Sequence, residues 1–367
     1  MMGSTWRLGL CLALLLAVLG PGPGLMAQTE TPETGQIVAD PPLPESLTLC
    51  GEKVPLADRQ VREMLDRELT IAVWDRAQVL MWIKRAGRYF PFIEERLAQA
   101  GLPSDLKYLA VAESSLLPGI RSNRSALGLW QFMADTAERQ GIKANAEVDE
   151  RLNVARSTEA ALKYLTQLNG LFGSWTLALA AYNCGEGHVK RELEEQQVQS
   201  YYQLDLPNET ERFVFRIAAV KIILENPRQY GYRVSPERVY QPIQADVLAV
   251  EPVAPVHLTR LAQALSSTYK TLRELNPEYQ GRFLPAGKGR LAVPVGQGPP
   301  AQAFLEQWNK ACRKKEEPPR AEAYVVKRGD TLSRISRETG VPVASIKELN
   351  SLSGAKVLVG QKLKLGR

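Results

Sequence analysis

Residues 103–114 read Pro-Ser-Asp-Leu-Lys-Tyr-Leu-Ala-Val-Ala-Glu-Ser, and the interpretation of the whole chain starts from them. Gly101-Leu102-Pro103 interrupts one helical pattern, and Pro103 can begin the next helix. Three apolar residues and one carboxylate then fall at positions i, i+3, i+4 and i+7 of a single helix face: Leu106, Leu109, Ala110 and Glu113. The pattern predicts a helix with an acidic side chain in the last turn of an apolar stripe.

Glu113 has the setting of a general acid. Burial disfavours the charged carboxylate, and the negative end of the helix dipole does the same. Both effects raise the pKa of Glu113 toward the range needed for proton donation near neutral pH. The alternative is that the helix frays at this end and leaves Glu113 as a solvated surface side chain.

The segment after Glu113 offers no second carboxylate. Residues 114–134 contain neither Asp nor Glu, yet they include Ser122 and the run Gly128-Leu129-Trp130-Gln131-Phe132. Most glycosidases use two carboxylates. A second acidic group must therefore come from elsewhere in the fold, or the reaction uses one acid.

A further polar tract lies at the end of a predicted helix that begins near Trp175. It reads Ala180-Ala-Tyr-Asn-Cys-Gly-Glu-Gly187. The phenol of Tyr182 and the amide of Asn183 are useful ligands for sugar hydroxyl and N-acetyl groups. By itself the tract is equally explained as a helix C-cap.

Together the three segments resemble the motif series of the family 1 lytic transglycosylases. The matching residues are Glu113-Ser114, then Gly128 to Gln131, then Ala181 to Gly185. The tryptophan variant Gly-Leu-Trp-Gln-Phe and the C-terminal repeats are similar to a membrane-bound branch of that family. The resemblance covers roughly Cys50 to Arg367.

The resemblance implies a mainly α fold, with a lysozyme-like helical catalytic domain followed by small α+β modules. The implied reaction cuts the β-1,4 bond between N-acetylmuramic acid and N-acetylglucosamine in peptidoglycan. Glu113 takes the position of the single acid and base, and the muramyl C6 hydroxyl closes on C1 to leave a 1,6-anhydro end. The positions that match substrate-binding residues are Ser122, Gly128, Trp130, Gln131, Phe132, Tyr182 and Asn183.

One position departs from the family pattern. The family often has a tyrosine in a Glu-Thr-Arg-x-Tyr stretch, whereas this chain reads Glu209-Thr210-Glu211-Arg212-Phe213. Either Tyr182 supplies the hydroxyl that Phe213 lacks, or the two stretches align a few residues apart.

Two C-terminal segments are diverged repeats, each with two short helices followed by a strand. The second, Tyr324–Leu365, has a leading strand and predicts a βααβ unit. It resembles a LysM module, which implies binding to N-acetylglucosamine-containing glycan through Gly329, Asp330, Thr331, Leu332 and Asn350. The first, Leu258–Val295, looks like a degenerate copy that lacks the Gly-Asp-Thr-Leu turn. Either it binds sugar or it packs as a spacer.

The predicted organisation has six parts. An apolar run after Arg7, ending near Ala27, reads as a secretory signal peptide. Lipid attachment at Cys11 is the competing interpretation, and the bulky Leu10 before it argues against it. The predicted parts are a signal peptide (1–27), a flexible spacer (28–49), the catalytic domain (50–232), the degenerate LysM-like module (233–298), a charged linker (299–321) and the LysM domain (322–367).

Composition narrows the partners. The charge of +6 and the 44% of hydrophobic residues are typical of a mildly basic globular protein, which is attracted to polyanions such as the bacterial wall. Basic residues are dispersed, so nucleic acid is not a predicted partner. The two histidines are far apart and no CxxC occurs, so neither a metal nor a cofactor is predicted. We expect an exported protein, peripheral to the cell envelope, that binds peptidoglycan strands.

Three cysteines follow the leader, which allows at most one internal disulfide bond. If one forms, Cys50–Cys312 is the predicted pair, because Cys184 lies at a helix end beside the candidate site. Two other functions stay open: a lysozyme-type hydrolase, and a non-catalytic wall-binding protein that depends on its LysM module.

Overall fold

The computed structural model describes residues 40–316 and 323–365. The predicted signal peptide and most of the predicted spacer lie outside the described residues. The end of that spacer is ordered, because Leu47 and Leu49 are buried in the core of the helical domain. Tyr230 also donates a hydrogen bond of 3.0 Å to the carbonyl of Pro42.

The first part of the described chain is a helical domain. It opens with a hairpin of two short antiparallel strands, and eight α-helices follow. Its elements are β1 (Thr48–Leu49), β2 (Glu52–Lys53), α1 (Arg59–Trp74), α2 (Arg76–Gln99), α3 (Lys107–Ser114), α4 (Ala134–Arg139), α5 (Val154–Phe172), α6 (Trp175–Cys184), α7 (Glu186–Gln196) and α8 (Asn208–Glu225). Short 3₁₀ turns occur at Ser104–Leu106, Glu150–Leu152, Tyr201–Gln203 and Pro236–Arg238.

Helix α8 is the central element of this domain, since it packs against α1, α3 and α6. Ten of its 18 residues are buried, and all of these except Thr210 are apolar. The helix α3 that carries Glu113 is short and lies directly against α8. The helical structure expected of the catalytic domain is confirmed, since α1 to α8 lie between Arg59 and Glu225.

The N-terminal hairpin fixes the start of α6. Its two-residue turn, Cys50-Gly51, has positive φ at both positions, as a type I′ turn requires. The turn brings the Glu52 carboxylate to the N-terminus of α6. There it accepts hydrogen bonds from the backbone N–H groups of Trp175 and Thr176 and from the hydroxyl of Thr176. A carboxylate at this end also complements the helix dipole.

The first repeat forms a second core, which includes Val256, Leu261, Leu272 and Leu291. Strands β3 and β6 pair antiparallel, as do β4 and β5, and two helices lie in the chain between β4 and β5. The elements are β3 (Asp246–Val250), β4 (Val256–His257), α9 (Leu258–Ala264), α10 (Tyr269–Leu275), β5 (Phe283–Leu284), β6 (Gly289–Val293) and α11 (Gly298–Glu316).

Helix α11 occupies most of the segment 299–321, for which the sequence predicted a linker. Ala301 and Leu305 are buried against the second core, and Trp308 donates a hydrogen bond to the carbonyl of Ala254. The sequence offers a possible helix around Phe304–Trp308 inside this segment, and α11 extends from Gly298 to Glu316 around it.

The second repeat has its own core, with Leu332, Ile335, Ile346 and Leu363 fully or nearly fully buried. It is the predicted βααβ unit, in which β7 and β8 pair antiparallel. Its elements are β7 (Ala323–Val325), α12 (Leu332–Thr339), α13 (Val343–Leu349) and β8 (Lys362–Lys364).

Matching asparagines confirm that the two modules are repeats. In the first, Asn276 donates to the carbonyls of Leu272 and Ala292 and accepts from the backbone N–H of Ala292. In the second, Asn350 makes the same three bonds with Ile346 and Lys364. Each asparagine links the end of the second helix to the last strand, so the Leu-Asn pair that both repeats share, Leu275-Asn276 and Leu349-Asn350, stabilises the module.

The predicted fold class is confirmed: the chain is mainly α, and small α+β modules follow the helical domain. Across residues 40–316 and 323–365, no helix is long and apolar enough to cross a membrane. Cys50, Cys184 and Cys312 are free thiols, so the Cys50–Cys312 pair is not formed. Cys50 is buried in the first core, whereas Cys312 lies on α11 beside the second.

Candidate active site

Glu113 lies in the last turn of α3, and the helix does not fray there. Helical structure continues through Ser114, and Ser115 closes it in the left-handed conformation with an N–H bond of 2.8 Å to the Val111 carbonyl. This geometry excludes the alternative that Glu113 is a solvated residue on a frayed end.

The Glu113 carboxyl group is held in its protonated form. Desolvation by surrounding protein raises its pKa to about 8, the positive charge of Arg216 opposes this rise, and the negative charge of Glu209 adds to it. Within the described parts of the chain, the carboxyl group forms neither a hydrogen bond nor an ion pair. A partly exposed carboxyl group that stays protonated at neutral pH is suited to proton donation.

Ser114 connects α3 to the loop that contains the Gly-Leu-Trp-Gln run. Its hydroxyl lies 2.7 Å from the carbonyl oxygen of Leu129 and 2.9 Å from that of Ala110. The loop is folded on itself by isolated bridges from Leu127 to Arg121 and to Phe132. Ser114 therefore fixes the loop against the last turn of α3, the turn that also carries Glu113.

Gly128 is required by its surroundings as well as by its backbone. Its φ is +89°, and a Cβ atom at this position would lie 2.0 Å from the carbonyl oxygen of Arg151. Any side chain here would push the loop away from the 3₁₀ turn at Glu150–Leu152.

Trp130 and Phe132 are both buried, so a contact with substrate at these two positions stays a prediction. The Trp130 side chain is fully buried, and its indole N–H donates 2.9 Å to the hydroxyl of Thr158 on α5. Phe132 is also buried and packs near Tyr182. Both side chains anchor the loop to the core of the helical domain.

Gln131 and Ser122 lie at the accessible part of the same loop. Gln131 has a positive φ of 48°, and its amide donates 2.8 Å to the Gly128 carbonyl. The Ser122 hydroxyl accepts 3.0 Å from the backbone N–H of Ala126. Both side chains are only partly buried.

Tyr182 and Asn183 are brought to the same place by α6. The Tyr182 hydroxyl donates 2.8 Å to the carbonyl of Trp130. Burial raises its pKa well above the usual value, and the nearby charge of Glu113 adds to the rise. Asn183 accepts 2.9 Å from the hydroxyl of Thr210 in the first turn of α8. The structure thus gathers the three segments that the sequence singled out.

Sequence analysis missed the charged groups that α8 contributes. Glu209 is exposed and Arg216 is partly exposed, and both act electrostatically on Glu113. Arg216 also lies 3.8 Å from the buried carboxylate of Glu68, to which Arg212 donates at 2.6 Å. The i, i+4 spacing of Arg212 and Arg216 indicated that the two side chains share one face of α8. Their partner Glu68 could not be identified, because it lies on α1, 144 residues before Arg212 in the sequence.

Phe213 is almost fully buried in the core of the helical domain. The phenol near Glu113 is that of Tyr182.

The LysM motif residues are used mainly within their own module. Thr331 caps α12, Leu332 is buried in the core, and the Asp330 carboxylate accepts 2.7 Å from the Lys327 N–H. Gly329 has a φ of +89° in the preceding turn. The Leu332 and Asn350 side chains are engaged in packing and hydrogen bonds inside the module, and glycan binding at these positions stays a prediction.

The described residues, 40–316 and 323–365, contain no group of three His, Cys, Asp or Glu side chains placed to hold a metal ion.

These features define a class of protein in which a helical domain carries a partly buried, protonated carboxyl group, here that of Glu113, and is followed by LysM-type modules. Residues 90–204 match the family described as the transglycosylase SLT domain, and residues 324–366 match the LysM domain. The chain therefore contains both domains, as its motifs indicated.

The chain is similar to membrane-bound lytic murein transglycosylase D of Escherichia coli K12. The two are 29% identical over 293 residues, which cover 77% of this chain and 64% of that relative. The uncharacterized lipoprotein YgeR of the same organism is 59% identical over 44 residues, 12% of this chain and 18% of that one. An inactive mutant of lytic transglycosylase Slt from Pseudomonas aeruginosa matches with 22% identity and a TM-score of 0.31, over 52% of this chain and 28% of that one.

Proposed function

We propose that this chain is a peptidoglycan lytic transglycosylase that cleaves the bond between N-acetylmuramic acid and N-acetylglucosamine and leaves 1,6-anhydro-muramyl ends. The observation that carries the proposal is the Glu113 carboxyl group, which is partly buried, unbonded within the described residues and protonated at neutral pH. The transglycosylase SLT match and the similarity to murein transglycosylase D support the substrate class.

One carboxyl group is sufficient for this reaction. Protonated Glu113 donates its proton to the glycosidic oxygen as the bond from C1 to that oxygen breaks. The resulting carboxylate then removes the proton of the muramyl C6 hydroxyl, and O6 forms the new bond to C1. The bond between the two sugars is replaced by an O6–C1 bond inside the muramyl residue, the N-acetylglucosamine residue leaves with the proton on its oxygen, and Glu113 ends protonated again.

The surrounding residues have separate roles in this proposal. Ser122, Gln131 and Asn183 offer hydroxyl and amide groups for the sugar hydroxyl and N-acetyl groups. Tyr182 is fixed by its bond to the Trp130 carbonyl and forms a wall beside Glu113. Gly128, Trp130 and Phe132 hold the loop in place.

A lysozyme-type hydrolase is the second candidate, and Glu209 is the observation that favours it. Its charge acts on Glu113, so a second carboxylate is present near the candidate acid. Glu209 is exposed, however, and an exposed carboxylate on a helix end is not positioned by any partner to activate water.

Two measurements separate these candidates. Mass spectrometry of digested peptidoglycan should show product ends that weigh one water less than hydrolytic ends. Glu209→Gln should keep most of the turnover, because the lytic reaction needs no second carboxylate. Reducing muramyl ends as the main product, together with a large loss in Glu209→Gln, would favour the hydrolase.

We also propose that the protein acts in the cell envelope and that its parts divide the work. The SLT-type domain would perform the cleavage, and the LysM domain would hold the enzyme on the wall by raising its effective concentration there. The boundaries at residues 232 and 322 stand as predicted, the helical domain begins before residue 50 because Leu47 and Leu49 lie in its core, and α11 is assigned to the first LysM-like module.

A further inference from the structure

The first LysM-like module is docked on the helical domain through one short segment. The backbone N–H of Asp149 donates 2.8 Å to the carbonyl of Glu278, and that of Gln280 donates 2.9 Å to the carbonyl of Glu147. Val148 forms a bridge with Tyr279 and packs against the core of the module. Residues 277–280 therefore pair with residues 147–149 much as neighbouring strands do.

The Glu278 side chain strengthens this junction. It is 5% exposed, and its Oε1 accepts 2.8 Å from the amide of Asn153. The oxygen of the same Asn153 side chain caps α5 by accepting 3.0 Å from the backbone N–H of Arg156. A module side chain thus helps to fix the residue at which α5 begins.

The segment held by the module carries Arg151, which in turn holds the candidate substrate loop. Arg151 is nearly fully buried and forms a two-point contact with the Asp149 carboxylate, with distances of 2.8 and 2.7 Å. Its remaining nitrogen donates 3.1 Å to the carbonyl of Phe132 and 3.3 Å to that of Ser125. The carbonyl of Arg151 itself lies under Gly128.

The contacts form a continuous path from the module to the candidate active site. Glu278 and the backbone of residues 277–280 hold residues 147–153. Arg151 then holds residues 125–132, where Gln131 lies and where Tyr182 is bonded. No residue of this path is needed for the chemistry assigned to Glu113.

We propose that the first LysM-like module is a positioning element of the catalytic domain, with Glu278 and Arg151 as positioning residues for the substrate loop. On this proposal the module is more than a passive spacer. The expected effect on substrate cleavage rests on the proposed function, whereas the expected effect of the module on the mobility of the substrate loop does not.

Three full-length variants test the coupling. Glu278→Ala removes the bond to Asn153. Glu278→Gln keeps an oxygen that accepts this bond and should restore the wild-type behaviour. Lys288→Ala changes an exposed residue of the same module, outside the path, and serves as the matched control.

Hydrogen–deuterium exchange reports the loop directly. In Glu278→Ala, we expect faster exchange in residues 147–153 and 125–132, and unchanged exchange in α8. Loss of one buried hydrogen bond should speed the exchange by about fivefold. Glu278→Gln and Lys288→Ala should exchange like the wild type.

Kinetics on soluble glycan fragments supply the second readout. The Michaelis constant of Glu278→Ala should rise by about fivefold, with kcat and its pH profile unchanged, since Glu113 lies on a different element. Unchanged exchange in residues 125–132, or equal acceleration in α8, would overturn the proposal. If the wild-type enzyme cleaves no peptidoglycan, the proposed function fails, but the exchange experiment still decides the coupling.

Discussion

Replacing Glu113 with glutamine should make the protein more stable, and the gain should depend on pH. The side chain keeps its shape but can no longer ionise. In the folded wild-type protein the Glu113 pKa is raised from 4.5 to about 8. Between these two values the unfolded chain carries a charged Glu113 and the folded chain a neutral one, so rising pH favours unfolding.

The magnitude follows from the two pKa values. Each pH unit between them is worth about 1.36 kcal/mol. From pH 4.5 to pH 7 the wild-type protein therefore loses about 3 kcal/mol that the Glu113→Gln variant keeps. The difference should be close to zero at pH 4, and it should stop growing above about pH 8. At pH 7 it should correspond to a rise in Tm of about 6–12 °C for a domain of this size.

Thermal unfolding followed by the helical signal, at pH 4, 5.5, 7 and 8.5, measures the effect. Glu209→Gln is the matched control, because Glu209 is an exposed carboxylate on α8 and should change stability little. Activity should fall by ~10²–10⁴ in Glu113→Gln, while binding to sacculi is retained. A stability gain that is the same at pH 4 and pH 7 would refute the argument, since it would mean that Glu113 is not held protonated by desolvation.

Three further outcomes are expected. In the pH profile of kcat, activity should fall as pH rises through about 8, where Glu113 loses its proton. Arg216→Gln should move this fall to higher pH and Glu209→Gln to lower pH, because the two charges act on the Glu113 pKa with opposite signs. Shifts in the same direction would contradict this reasoning. Glu52→Gln should lower the free energy of unfolding by about 1–2 kcal/mol, measured by denaturant titration, because it weakens the cap of α6; an unchanged midpoint would show that the cap is dispensable. Truncation after Pro319 should weaken sacculus pull-down but leave turnover of short soluble glycans nearly unchanged, and equal loss of both would show that the LysM domain takes part in catalysis.

Several properties of the candidate site were predictable because they are local. Helical spacing identified the apolar face that carries Glu113. The next residue, Ser114, donates a hydrogen bond to the carbonyl of Leu129. The motif series indicated which three segments meet. The burial of the Trp130, Phe132 and Leu332 side chains was not predictable from the motifs, because a motif records which residues recur together and not whether their side chains point to a ligand or into a core.

By itself, the sequence determined the mainly helical fold, the two repeats, and the carboxyl group on which the proposed chemistry depends. These features follow from periodicity and turn residues within short stretches of sequence, because residues close in the sequence are held close in space by the chain itself. Only the tertiary structure decided which charges surround Glu113, that Glu52 caps a helix more than 120 residues away, and that Glu278 of the first module reaches Asn153. Such contacts depend on how elements pack in three dimensions. A pattern of single residues specifies which face of each element is buried, but not which distant partner will cover it.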